Sequence, residues 1–307
     1  MIKHNLILKG SSARGKQISA FLLKDLLDVI IDGTKGALRL RAEGRSTARG
    51  SDPGWLNQAG DFDLIGFQSG STVIEIECKP LSEAAPDKFA QLAIFKKIDP
   101  SLSAFDLFQE SLSDAVDGRA DSDLYDDNLL QCYSRLNSVF EKGIESFSIT
   151  GKDNKQTAKL LVNASHMECI GRLRGQIPPN QQIKITGRLD TIRHSDRMFE
   201  LVLKSGDMIR GVATEQDANE LKNLFGKDVL VSGTAVFRPS SSLLRIEASS
   251  IEPAHGNVAL WSKSPKARKS KLDTHDLRKP QGPQSGLNRI WGKWPGTETD
   301  EQLERVM

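Results

Sequence analysis

From Gly143 to Ala254 the chain is a series of short β-prone runs broken by glycine turns, a pattern that leaves few ways to fold. The runs are Ser146 to Ile149, Lys159 to Val162, Ile183 to Ile192, Phe199 to Leu203, Met208 to Ala213, Val229 to Phe237 and Leu243 to Ile246. Lys204-Ser205-Gly206-Asp207 marks a hairpin turn, and one helical stretch, Glu215 to Phe225, ends at Gly226. Five or more short strands with one inserted helix predict a small closed or half-closed barrel of OB or SH3 type. OB barrels that hold nucleic acid do so through strand aromatics. Here only Phe199 and Phe237 are available, which favours a packing barrel over a nucleic-acid reader.

Upstream the pattern changes. Residues 2–8 read as a first strand, and Lys16 to Asp32 carries apolar residues at helical spacing, closed by Gly33. Ala37 to Ala42 alternates like a half-buried strand, and a Gly/Ser/Arg-rich loop follows from Gly44 to Gly60. Phe62 to Phe67 and Thr72 to Cys78 read as a hairpin about Gln68-Ser69-Gly70-Ser71. Pro86 to Ile98, Ala104 to Val116 and Asn128 to Glu141 then show apolar residues three and four apart, the spacing of helices. The acidic segment Asp117 to Asp127 lacks the glycine and terminal glutamate of an EF-hand at the required offsets. It reads as a solvated, helix-capping loop.

The fold class predicted is therefore α+β. Residues 1–143 form a sheet-plus-helices domain, residues 144–255 the OB/SH3-like barrel, residues 256–288 a basic flexible linker, and residues 289–307 a tail with a short helix. Within the linker, positions 262–288 hold seven Lys or Arg against two Asp and are too polar to bury a core. The net charge of +2 creates no global field for nucleic acid, so any basic effect is local. Cys78, Cys132 and Cys169 are odd in number, widely spaced and without metal-ligand spacing, which fits a reducing cytoplasm. No apolar run reaches the length of a signal-peptide core or a membrane span.

The tail concentrates anchors. It holds Trp291 and Trp294, two of the chain's four tryptophans, with Ile290 before them and Pro295-Gly296 after them. Thr299 and Gln302 match a capping box, and Leu303, Val306 and Met307 fall on one helical face. A helix of roughly eight residues is too short to be stable alone, and tryptophan is enriched where a few side chains carry an interface. Docking to another protein, with Ile290, Trp291, Trp294, Pro295, Leu303 and Val306 as contacts, explains this better than a strap on the protein's own body or a passive tail. The stretch Ile290 to Leu303 resembles the C-termini of bacterial proteins encoded beside PIN-domain ribonucleases in toxin–antitoxin pairs. That resemblance implies an antitoxin-like, non-enzymatic chain whose tail wraps a toxin encoded by an adjacent gene. An acidic segment suits the basic walls of a ribonuclease. The implied partner is a protein; nucleic acid can be met through the basic linker or the barrel; no membrane is implied.

Residues 43–95 carry the competing chemistry. Gly44-Arg45-Ser46 followed by Asp61-Phe62-Asp63 and then Glu75 or Glu77 resembles the nucleotidyltransferase signature, with Arg45 standing between the glycine and the serine. In that family the acids hold two magnesium ions and the Gly-Ser turn holds triphosphate. Asp63, Glu77-Cys78-Lys79 and Gln91 also resemble the PD-(D/E)xK nuclease pattern. Period-two alternation places Glu75, Glu77 and Lys79 on one strand face, where carboxylates can hold a metal and the lysine can orient water. Asp61, Asp63 and Glu77 are the metal ligands under this alternative, with Mg or Mn as cofactor; under the leading reading there is none. The third reading is a solvated, non-catalytic sheet face. The histidines are scattered, and no Gly-x-x-x-x-Gly-Lys-Ser/Thr loop is present.

Overall fold

The computed structural model describes residues 1–14, 17–68, 72–89, 98–151, 160–193, 196–213, 221–255 and 261–268. In chain order the elements are β1 (Ile2–Lys9), β2 (Ala13–Arg14), β3 (Gln17–Ile18), α1 (Ala20–Glu43), α2 (Gly54–Ala59), β4 (Phe62–Gln68) and β5 (Thr72–Cys78). They continue with α3 (Leu81–Ala84), α4 (Pro86–Phe89), α5 (Ala104–Val116), α6 (Asp127–Ser134), α7 (Leu136–Glu141), β6 (Ser146–Gly151), β7 (Leu160–Asn163) and α8 (Ala164–Gln176). Then come β8 (Gln181–Ile192), β9 (Met198–Val202), β10 (Met208–Ala213), β11 (Asp228–Phe237) and β12 (Leu243–Pro253). The chain is mixed α+β, with a closed five-stranded barrel following a sheet-and-helix layer.

The first layer is a five-stranded antiparallel sheet in the order β4-β5-β1-β6-β7. Alternation aims His4, Leu6 and Leu8 of β1 and Ile74, Ile76 and Cys78 of β5 into one core, shared with α1 and α5 to α8. This layer extends beyond the expected boundary at 143/144. β6 pairs with β1, β7 pairs with β6, and Phe147, Ile149, Leu160, Val162, Ile170 and Leu173 belong to the first core. A strand's local pattern does not name its partner, and this partner lies about 140 positions upstream.

α1 overturns two expectations. It runs for 24 residues through Gly33 and takes in Ala37 to Ala42, which had read as a strand. Its C-terminal half is buried on several sides, with Ala37, Leu38, Arg39 and Leu40 all buried, so the one-sided stripe that signals a helix is absent there. Gly33 is a packing glycine rather than a stop: a Cβ there would lie 2.7 Å from the Phe108 ring. The stop is Gly44, whose left-handed φ of 74° lets its N–H close on Leu40 O. The loop expected from Gly44 to Gly60 contains α2, which buries Leu56 and Ala59 and sets Trp55 edge-on to Phe89.

α5 has the expected bounds and is fixed at its start by a reciprocal capping box between Ser103 and Asp106. The helix expected over Asn128 to Glu141 is broken at Arg135 into α6 and α7. The barrel closes in the order β10-β12-β11-β8-β9, antiparallel throughout except for the parallel pair β10–β12. Its core holds Ile185, Leu189, Phe199, Leu201, Val229, Val231, Ile246 and Ile251. The Phe199 ring lies across the backbone of Gly211 on the neighbouring strand. The turn residues 69–71, Gln91, most of the helix expected over 215–225, the linker from 269 and the whole tail lie outside the described residues. No helix among the described residues is long and apolar enough to cross a membrane.

Candidate functional site

The strand acids occupy the sheet face turned away from the helices. Asp63 and Glu77 stand directly opposite each other on β4 and β5, and Glu75 faces Gly66 beyond a bulge. Glu77 is paired across the other edge of β5 with Lys3, at 3.3 Å. Asp61 caps the start of β4 by accepting the Phe62 N–H at 3.0 Å, and Lys79 is exposed just beyond the end of β5. Among the described residues no three His, Cys, Asp or Glu side chains gather as a metal-ligand group. The Gly44–Ser46 turn is engaged elsewhere: Ser46 Oγ donates to Asp126 at 2.6 Å. What the structure places on this face is the facing pair Asp63 and Glu77, with Glu75 two residues along β5, while Gln91 lies outside the described residues.

A larger convergence joins the two cores. The acidic loop, expected only to cap a helix, does cap α6: Asp126 Oδ1 accepts the Leu129 N–H at 3.2 Å. The same loop grips the barrel. Arg245 of β12 donates to Asp126 at 3.2 Å, with both side chains buried, and to Glu247 at 2.9 Å. Arg238, in the β11–β12 turn, pairs with Asp123, which also holds Arg210 of β10 at 3.2 Å. Ser240 and Ser242 of the same turn donate to Asp121, holding its carboxyl below the usual range. At the last turn of α1, Arg193 donates to Ala42 O at 2.9 Å and pairs with Asp196 at 2.9 Å. Burial pushes the Asp196 carboxyl up, against the pull of Arg193.

These contacts leave a groove of about 1030 Å³ between the layers. One wall is the loop bearing Arg45, Thr47 and Arg49 with the start of α6; the other is the β8–β11–β12 side of the barrel, with Gln182, Thr234 and Ser249. Two of its arginines are neutralised in place, Arg174 by Asp127 at 3.3 Å and Arg245 by Asp126 and Glu247. Arg45 and Arg49 form no ion pair among the described residues, and Arg45 Nε is buried without a hydrogen-bond partner. Burial pushes the Cys78 and Cys132 thiols up to about 12, so neither is a nucleophile at neutral pH.

Sequence reasoning found the acids of the loop and missed what they bind. The sequence shows only the density of acids in the loop and, far downstream, a turn rich in arginine and serine, Arg238-Pro239-Ser240-Ser241-Ser242. No family model matches the chain, and neither a curated protein nor a solved structure matches it.

Proposed function

We propose that this chain is a non-enzymatic, antitoxin-like binding protein that neutralises a PIN-type ribonuclease toxin through residues 289–307. The observation that carries the reading is the composition of that tail. Trp291 and Trp294, Pro295-Gly296, the capping-box pattern Thr299-x-x-Gln302 and the helically spaced Leu303, Val306 and Met307 follow a segment whose composition is too polar to bury a core. The welded body supports it as a carrier, because the acidic loop ties barrel and sheet layer into one compact unit, residues 1–268, upstream of the tail.

The barrel's topology supports an OB-type identity. Taking β8 as its first strand, the order is 1-2-3-5-4, with the third and fifth strands parallel, the closure of a five-stranded Greek-key barrel. A second reading, a nuclease or nucleotidyltransferase using Mg or Mn, draws on the facing pair Asp63 and Glu77.

The test is co-expression with the product of the adjacent gene, followed by pull-down. Full-length chain is expected to retain that product, and a chain ending at Gly286 or carrying W291A and W294A is expected to lose it with the body still folded. Retention by the tail-less chain, or no capture by the full chain, overturns the reading.

A further inference from the structure

The groove between the Arg45 loop and the barrel has a charge that nothing in the fold explains. A guanidinium is costly to desolvate unless its donors are satisfied. Elsewhere along this seam the cations are matched by acids: Arg245, Arg238, Arg210 and Arg193 each have a carboxylate, although Arg193 also keeps a buried Nη1 without a hydrogen-bond partner. Arg45 breaks that pattern, with a buried Nε that donates to nothing, and Arg49 stands four residues on in the same loop without a partner among the described residues. Arg45, with its Nε buried, and the exposed Arg49 are thus two cations without acids among the described residues, and on the wall of a cavity they are placed for an anion that comes from outside.

The rest of the lining says what kind of anion. Asn128, Gln182, Thr234 and Ser249 supply neutral donors and acceptors of the kind that meet phosphate and sugar oxygens. Gln182 donates to Thr234 at 2.9 Å and Asn128 to Thr47 at 2.9 Å, so these side chains are held in place. The aromatic nearest the groove, Phe237, is buried in the barrel and offers no stacking surface. The volume of about 1030 Å³ lies at the upper limit of small-molecule pockets, roughly 300–1,000 Å³. Two free cations also suit the lower charge density of a single strand better than that of a duplex, which carries about one charge per 1.7 Å. The β9–β10 face, where five-stranded barrels commonly take oligonucleotides, is bridged here by Asp123 through Arg210.

We infer that this groove binds the sugar–phosphate backbone of a single-stranded nucleic acid, with Arg45 and Arg49 as its phosphate contacts and no base readout. This inference rests on the groove residues alone and not on the proposed role of the tail.

The experiment is fluorescence anisotropy of the full chain with a labelled oligothymidylate of about 20 residues, titrated at several salt concentrations. Removing two phosphate contacts flattens the log–log salt slope by about 1.4, at ~0.7 per contact on a single strand. R45Q/R49Q is expected to show that loss together with roughly tenfold weaker binding at low salt. S249E, which puts a negative charge on the opposite wall, is expected to weaken binding without touching either arginine. Because Arg45 and Arg49 make no ion pair among the described residues, R45Q/R49Q is expected to melt like the parent. K263Q/K266Q/R268Q, in the basic segment, is expected to leave the groove's share of the slope intact. The inference is overturned if the chain binds no oligothymidylate or if R45Q/R49Q binds with the parental slope. It also fails if tripolyphosphate competes as well as the oligonucleotide mole for mole, or if a duplex of the same length binds as tightly.

Discussion

Arg245 donates to Asp126 across the seam between barrel and helices, at 3.2 Å, with 8% and 2% of the two side chains exposed. The carboxylate has further duties: it caps α6 and accepts from both the Ser46 hydroxyl, at 2.6 Å, and the Ser46 N–H, at 3.3 Å. One side chain thus fixes a helix start, the Arg45-bearing loop and the barrel at once.

Breaking a buried pair from one side leaves a charge unmatched, at about 3–5 kcal/mol. D126A is expected at the low end, about 3 kcal/mol, because Glu247 still holds Arg245. D126A/R245M is expected to be less destabilised than the sum of D126A and R245M, since the stranded guanidinium is gone. Urea unfolding of the three variants measures the coupling.

The Asp123 clamp looks similar on paper and is expected to matter far less. Asp123 is 48% exposed, as is much of Arg210. Solvent screening and side-chain entropy hold such pairs to about 0–1 kcal/mol. D123A is therefore expected to shift the unfolding midpoint only slightly, and equal losses in D123A and D126A would show that burial is not what ranks them.

Much of this architecture was legible because it is local. β5 and β9 alternate, β4, β5, β9 and β10 are bounded by turns, and α5 carries its apolar spacing together with a capping residue. α1 was misread where burial from several sides erased its stripe, and Gly33 was taken for punctuation when it makes room for Phe108. The seam was illegible for a different reason. Arg245 and Asp126 are 119 positions apart, and Arg238 and Asp123 are 115 apart. Each residue taken alone looks like ordinary surface charge, so only the closed barrel reveals the pairing.

Gly211 tests the barrel core. Its φ is not left-handed, so a side chain there is opposed by space alone: a Cβ would come within 2.2 Å of the Phe199 ring. That ring is 1% exposed and cannot swing out without emptying the core. Overpacking of this kind costs about 1–3 kcal/mol. G211A is expected to lower thermal stability by that amount, and G211A/F199L to recover part of it.

His4 gives the fold an acid-side weakness. The ring is buried against Phe105, neither nitrogen is hydrogen-bonded, and Nε2 lies 3.5 Å from Asp106 Oδ1. Burial lowers its pKa from the ordinary 6.5, and the Asp106 charge only partly opposes this. Above pH 6.5 both folded and unfolded chains hold it neutral, and the group costs nothing. Below that value the unfolded chain takes up a proton that the folded chain resists, so stability falls with pH, by at most about 1.4 kcal/mol per unit. Denaturant melts between about pH 7 and pH 5 are expected to show a steeper loss for the parent than for H4L. Parallel curves would mean that His4 is protonated equally in both states.

The open sheet face decides between the binding reading and its enzymatic rival. Asp63 and Glu77 face each other in register, Glu77 is already paired with Lys3, and Glu75 sits two residues along the same face. Carboxylates opposite each other on adjacent strands repel, an interaction worth roughly 0.2–1 kcal/mol. Removing them from a non-catalytic face therefore relieves charge at little cost. D63A/E77A is expected to fold at least as well as the parent and to keep full capture of the adjacent gene product. It is also expected to show the same rate of single-stranded nucleic-acid cleavage in Mg or Mn as the parent, namely background. A metal-dependent cleavage or nucleotidyl-transfer activity that is present in the parent and absent from D63A/E77A would make this face the working site, with the acids rather than the tail carrying the function.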